Sequence, residues 1–314
     1  MVGMRPIIME CRNMSKIKKI KSKFSFIPYI MILPTFILLV VFLFYPLYIA
    51  VSKSFYNWSG GFGTGINIFV GFQNYTRIFK DERFWLAWKN VLFFAGMGVI
   101  INLIFPPLFA ILVSRFSEKV SYVIRVLNII PIVVPTVVVY LLWKTIYNPE
   151  YGLLTQIAKI FNENKIVDLL GNPKTAKWAF VLMGFPWTGG TIFLIYYAGI
   201  NNISSEVLEA AILDGASMGN LIRLIYFPLL FPQMKLITAL QLIGGIQGFV
   251  NIQTITGGGP GDATYVPGLY IYDMAFGGSN RYGVAAAASV VMTIVICVLV
   301  LLNNYVFTRK DSDD

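Results

Sequence analysis

Gln247, Asn251 and Thr254 recur at i, i+4 and i+7 in a stretch that carries no charge from residue 236 to 256, with Gln241 roughly two turns earlier. On a continuous helix that spacing places them on one face. Uncharged donors and acceptors beside Phe249 and Trp187 suit a sugar, which is recognised by hydroxyl hydrogen bonds and stacking on aromatic faces. The same residue types also tie helices together inside a membrane, and the two readings stand equally. Pro131, Pro135 and Pro186 interrupt otherwise helical runs; the carbonyls so freed can line a cavity, or the kinks can serve packing alone.

Several other chemistries lack the residues they need. The chain of 314 residues has no His and two Cys, and no Asp, Glu, Lys or Arg falls inside its longest apolar runs. A proton or ion relay through a membrane therefore has no carrier, and an intramembrane enzyme has no metal or nucleophile constellation. No G-x-x-x-x-G-K-[ST] phosphate cradle is present, so the chain is expected to hold neither ATP nor Mg²⁺ itself and to need no cofactor of its own. Cys11 and Cys297 are expected to be free thiols with no role, too far apart by topology for a disulfide.

The elements that must position these residues are apolar helices. With 57% hydrophobic and 13% charged residues and a mean hydropathy of +0.70, the composition is that of a membrane protein. Six windows are free of charge: 27–51, 90–114, 126–143, 178–203, 236–256 and 282–308. At ~1.5 Å per residue each crosses, or nearly crosses, a ~30 Å hydrocarbon core. The third is the shortest, and Ser121 to Arg125 can lengthen it if Arg125 snorkels to the headgroups. Gly244, Gly245 and Gly248 in the fifth permit close approach of a neighbouring helix. The expected fold is all-α and polytopic, with about six transmembrane helices.

Arg5, Arg12, Lys16, Lys18, Lys19, Lys21 and Lys23 make residues 1–26 a basic tail that should stay in the cytoplasm. Six spans over 27–308 then return the tail 309–314, with Arg309 and Lys310, to the same side. The orientation rests on the N-terminal cluster, because inner segments hold 14 Lys plus Arg against 11 in outer ones. The first window is too long for a secretion signal and lacks a small-residue cleavage site, so it is expected to remain as a helix. The net charge of +10 gathers beside membrane-flanking positions with no basic stripe. Anionic lipid, and not nucleic acid, is its expected partner.

Between the fourth and fifth windows, residues 209–228 read EAAILDGASMGNLIRLIYFP. Ser204 or Ser205 can cap a short helix with Glu206 in its first turn, running to about Leu213. Val207, Leu208, Ala211 and Ile212 form its apolar stripe. Asp214-Gly215 supplies the turn. Ser217 can cap a second helix carrying Leu221, Leu224 and Ile225, expected to end near Phe227 because Pro228 disfavours helix before it.

Glu209-Ala210-Ala211, Gly215, Ile225 and Pro228 follow E-A-A-x3-G-x9-I-x-L-P, with Phe227 in place of Leu. The segment resembles the EAA loop of permease subunits of bacterial binding-protein-dependent ABC importers. Further resemblance lies in Gly71-Phe72-Gln73-Asn74-Tyr75 through Phe84-Trp85 with Asn90, in Asn148-Pro149 with Gly152-Leu153-Leu154, in Thr256-Gly257-Gly258-Gly259-Pro260 with Ala263-Thr264, and in Tyr282-Gly283 with Ala285 to Ala288. These are similar to segments of carbohydrate-type permeases of the maltose and glycerol-phosphate group, and together they cover nearly the whole chain from about residue 28. Val250 stands where many relatives carry Asp, and Ser204 where Pro is common.

The resemblance implies an ABC type I importer permease fold in a bacterial cytoplasmic membrane, with a cytoplasmic coupling loop at about 203–233. It implies separate ATPase subunits that bind ATP and Mg²⁺, a second permease in a heterodimer, an extracellular or periplasmic solute-binding protein, and a sugar moved by alternating access. Glu209 would contact the ATPase, Ala210 and Ala211 would let the helix seat, Gly215 and Asp214 would set the turn, and Ile225 and Pro228 would anchor the second helix. Gln241, Gln247, Asn251, Thr254 and Trp187 are the candidate substrate path. Alternatives are a permease of the same class for phosphate, amino acids or metal, and a secondary carrier or channel.

Overall fold

In the computed structural model, residues 26–59, 66–162, 165–187, 189–278 and 280–311 are described. The basic tail and Cys11 lie outside them. The chain divides into two compact units, residues 1–49 and 50–314.

The first unit holds α1 (Ile27–Leu39), a π-helical turn (Val40–Phe44) and the start of α2 (Tyr45–Lys53). The stretch Pro28–Lys53 is long and apolar enough to cross a membrane. Pro46 follows two residues after the π turn, whose wider i→i+5 spacing moves the proline ring off the carbonyl it would otherwise strike.

The second unit opens with a hairpin, β1 (Tyr56–Ser59) against β2 (Ile66–Phe69), antiparallel with Tyr56 opposite Phe69. A short helix α3 (Gln73–Lys80) follows, then α4 (Glu82–Ser114), α5 (Glu118–Val133), α6 (Thr136–Ile146) and α7 (Leu153–Phe161). Next come α8 (Pro173–Leu182), α9 (Gly190–Asn201), α10 (Ser205–Leu213) and α11 (Met218–Leu221). After a second π turn (Ile222–Tyr226) lie α12 (Phe227–Leu229), α13 (Phe231–Gln247), α14 (Val250–Ile255), α15 (Pro267–Phe276) and α16 (Tyr282–Asp311).

The 33 residues of α4 form the spine, started by Asp81, whose carboxylate accepts the Arg83 N–H at 2.9 Å. Two cores flank its ends. Ile78, Phe84, Val91, Ala95, Ile246, Tyr265, Tyr270 and Val284 pack around its beginning. Ala110, Ile111, Phe193, Tyr196, Leu221, Leu230 and Ile237 pack around its end. A Cβ added at Gly245 would sit 3.4 Å from the Ala95 backbone, so this glycine sets how near α13 comes to α4. Leu92, Ile100, Ile104, Leu108 and Leu112 leave an apolar stripe exposed along α4, the face a helix offers to lipid or to another subunit.

Among the described residues, three helices can cross a membrane as single rods, and five if two bent pairs each count as one span. The third window is one such pair: α5 and α6 meet at 95°, because Val134 and Pro135 take extended backbone where Pro135 cannot continue the donor ladder. The fourth window is divided between α8 and α9 by residues 183–189, where Gly184 and Trp187 have positive φ. The fifth stops at Gln247 and resumes at Val250.

One local expectation needs adjusting. The second helix of the loop runs two residues past Phe227: Pro228 sits inside α12 without ending it, and the chain bends 67° beyond Leu229. The π turn over Ile222–Tyr226 accommodates that proline with the same spacing as Pro46. The Arg125 guanidinium lies 4.9 Å from the Tyr197 ring centre, and its Nε donates to the Ser121 carbonyl in the first turn of α5.

Candidate functional site

The loop hairpin is built from its caps outward. Ser204 Oγ accepts the Glu206 N–H at 3.2 Å and starts α10, so the serine that replaces the common proline does the work of a helix cap. Glu206 adds an acidic group in the first turn. At the other end Gly215, at φ +80°, reverses the chain, with Gly215 N–H on Ile212 O and Ala216 N–H on Ala211 O, both at 3.0 Å. Nothing lies within 4 Å of a Cβ added there, so only the backbone angle demands glycine. Ser217 then caps α11 through the Asn220 N–H at 3.4 Å.

Packing gives α10 two faces. Leu208 and Ala211 pack on the core at the end of α4, as do Ala216 and Ile225 from the next segment. Glu206, Glu209, Ala210 and Leu213, at i, i+3, i+4 and i+7, are exposed on the opposite side, Leu213 to 87%. Val207 and Ile212, expected in the apolar stripe, flank this face and are exposed. Asp214 and Pro228 are also exposed. The outward face of this capped helix thus presents carboxylates, a small residue and a bare leucine.

Deeper in the unit a cavity of about 880 Å³ opens between α4, α5, α6, α13, α14 and the break from 183 to 189. Among the described residues, no charged side chain lines it. Gln241, Asn251 and Trp187 line the cavity; Gln247 and Thr254 do not. The expected common face fails because Gly248 leaves helical geometry (ψ 120°) and re-aims the chain before Val250. Gln247 is left exposed, and the Thr254 hydroxyl donates to its own helix at Val250 O.

Two polar residues that sequence reasoning missed complete the lining, Asn102 from α4 and Asn128 from α5. Each donates one hydrogen bond to the carbonyl four residues earlier, Gly98 and Ile124, which leaves the amide oxygen and second N–H uncommitted. Both are isolated amides inside charge-free windows, and that was the available signal. Gln241 lies against Gly98, where an added Cβ would come 2.6 Å from its Nε2. Trp187 is fixed by its indole N–H on Val181 O at 3.0 Å and by the Phe105 ring at 4.8 Å. Tyr140 and Trp143 add aromatic surface from α6.

The far end of α4 is closed by the glycine loop. Thr256 and Thr264 share a hydroxyl hydrogen bond of 2.8 Å and Thr264 donates to Gly259 O, folding the Thr256–Pro260 run on itself. Arg83 grips Asp262 at 2.8 and 3.0 Å and lies 3.9 Å over the Tyr265 ring. Tyr265 donates to Asp273 Oδ2 at 2.6 Å, and burial together with that carboxylate raises its phenol far above the ordinary value. Asn90 donates to the carbonyls of Asp262 and Tyr265. Asn74 donates to Ser54 O and Tyr56 O, so it is a bracket for the hairpin. These motif residues hold structure around the beginning of α4 and do not line the cavity.

A bundle of apolar, partly broken helices around an uncharged cavity, with a capped hairpin at one end, defines a permease subunit, the membrane part of a transport machine. The chain belongs to the family of binding-protein-dependent transport system inner membrane components, whose pattern residues 106–310 match. It is 31% identical to the trehalose/maltose transport system permease protein MalF of Thermococcus litoralis, over 88% of this chain and 92% of that one. It is 29% identical to the probable ABC transporter permease protein YurN of Bacillus subtilis, over 91% and 98%. It is 30% identical to the multiple sugar-binding transport system permease protein MsmF of Streptococcus mutans, over 85% and 90%. The fold matches a chain of a bacterial ABC transporter involved in import of the acidic polysaccharide alginate, with a TM-score of 0.78 at 24% identity over 90% and 96% of the two chains.

Proposed function

We propose that this chain forms the translocation path for a neutral sugar or oligosaccharide in an ATP-driven importer, and that α10 couples it to a separate ATPase. One observation carries the substrate class: the cavity is lined by amides from four elements and by aromatic rings, with no charge among the described residues. Hydroxyls are matched by amide donors and acceptors, and sugar faces by rings, whereas an ionic solute would need a counter-charge. At about 880 Å³ the cavity falls in the ~300–1,000 Å³ range of ligand sites. Relatives whose names specify trehalose/maltose and multiple sugars support the reading.

In this proposal the termini and the α10 hairpin face the cytoplasm and a second permease covers part of the exposed apolar surface. A solute-binding protein delivers sugar at the opposite end. Gln241, Asn251 and Trp187 contact the solute together with Asn102 and Asn128. Glu209, Ala210 and Leu213 meet the ATPase, while Gly215 and Asp214 hold the turn and Ile225 and Pro228 anchor the second helix. ATP-driven closure of the ATPase pair moves the hairpin and opens the cavity to the loaded binding protein; hydrolysis resets it.

The test is uptake by proteoliposomes holding the assembled transporter and its binding protein. Oligosaccharide should enter only with ATP, and Glu209→Arg should abolish entry while the protein still inserts and folds. Transport without ATPase subunits, or preference for a charged solute over sugar, would overturn the proposal.

A further inference from the structure

We propose that a recess between α3, α15 and α16, separate from the cavity, binds the phosphate of an anionic phospholipid headgroup. The recess measures about 560 Å³ and is lined by Arg77, Lys80 and Arg281 together with Asp81 and Tyr270. Three cations thus face one carboxylate, and that carboxylate is already engaged. Asp81 accepts the Arg83 N–H at 2.9 Å and the Tyr270 hydroxyl at 2.8 Å. The ion pairs among the described residues belong to Arg83, and none involves Arg77, Lys80 or Arg281. Tyr270 is 1% exposed, so the floor is rigid while the cations at the rim are exposed.

Like charges gathered around one hollow repel unless an anion joins them. Two guanidinium forks and an ammonium match phosphate oxygens, with Arg supplying bidentate contacts.

The position in the membrane selects the source of that phosphate. Arg281 immediately precedes the 26-residue apolar stretch Tyr282–Phe307 of α16. At ~1.5 Å per residue this spans about 39 Å, against ~30 Å of hydrocarbon and ~40–45 Å including headgroups, so Arg281 lies in the headgroup layer. Exposed Phe79, Trp85 and Phe276 stand nearby in sequence, the residue types that mark that layer. The recess is at the end of α4 opposite the α10 hairpin, on the side of the unit where the core around the beginning of α4 packs Ile78, Phe84 and Val284.

The experiment uses the assembled transporter in nanodiscs of phosphatidylcholine with a graded fraction of phosphatidylglycerol. Lipid retained after detergent transfer is counted by native mass spectrometry. Wild type should retain phosphatidylglycerol selectively, and Arg77→Gln with Arg281→Gln should weaken retention about tenfold or more. Lys89→Gln with Lys174→Gln removes the same charge outside the recess and should leave retention unchanged, and Arg77→Lys with Arg281→Lys should restore part of it. Equal retention by wild type and the recess variant would overturn the proposal. So would protection by inorganic phosphate alone without headgroup preference, or unchanged lipid retention with loss of binding-protein docking, which would assign the recess to a protein carboxylate.

Discussion

Leu213→Asp and Leu208→Asp separate the two faces of α10. Leu213 is 87% exposed, so replacing it should change folding stability by no more than about 0.5 kcal/mol. If that side chain is buried by the ATPase, the lost transfer free energy is about 1.5–3 kcal/mol. At 1.4 kcal/mol per decade this corresponds to ATPase affinity about ten- to a hundredfold weaker. Desolvating the new carboxylate can only add to the loss. Leu208 packs on the core at the end of α4. Its replacement should cost about 2 kcal/mol or more of stability and appear as a lower melting temperature. The assay is titration of purified ATPase subunits onto the permease in detergent, beside thermal unfolding of each variant. Normal ATPase affinity in Leu213→Asp, or loss of stability in Leu213→Asp to match Leu208→Asp, would refute the assignment of the outward face.

Gly98→Leu should drive Gln241 out of place, since even a Cβ there approaches its Nε2 to 2.6 Å, and should fill the cavity. Sugar uptake should fall about tenfold or more while ATPase subunits still co-purify; wild-type uptake would count against the cavity as the path. Alkaline pH tests Tyr147, whose phenol is pushed up to about 12 by burial and donates to Ala179 O at 2.8 Å. A raised folded-state pKa means its contribution is fully present below about pH 10 and is lost as pH rises toward 12. Tyr147→Phe should flatten the fall in melting temperature over that window, and an unchanged slope would remove Tyr147 as its cause.

Local chemistry made the hairpin readable. Ser204, Gly215 and Ser217 each act on backbone within a few residues, through a side-chain cap or a permitted angle, so sequence spacing alone located both helices and the turn. The cavity was only partly readable, because periodicity presumes a continuous helix. Gly248 breaks that continuity, which removes Gln247 and Thr254 from the lining and keeps Asn251. Asn102 and Asn128 meet the others only through packing of α4 and α5, a relation between distant segments that no single window contains. Pro228 misled for a related reason: the π turn before it, which lets the helix run on, leaves no mark in propensity. The Arg83 grip on Asp262 joins positions 179 apart, and neither residue's neighbours announce the other.

Three helix ends border the cavity, at Val133, Leu182 and Gln247. The last carbonyls of a helix have no partner within it, so part of the polarity met by a passing solute is main chain. Side-chain replacement cannot delete that portion. Alanine scanning of such a wall should therefore understate how much of the recognition it performs, because a wettable main-chain track survives every such replacement.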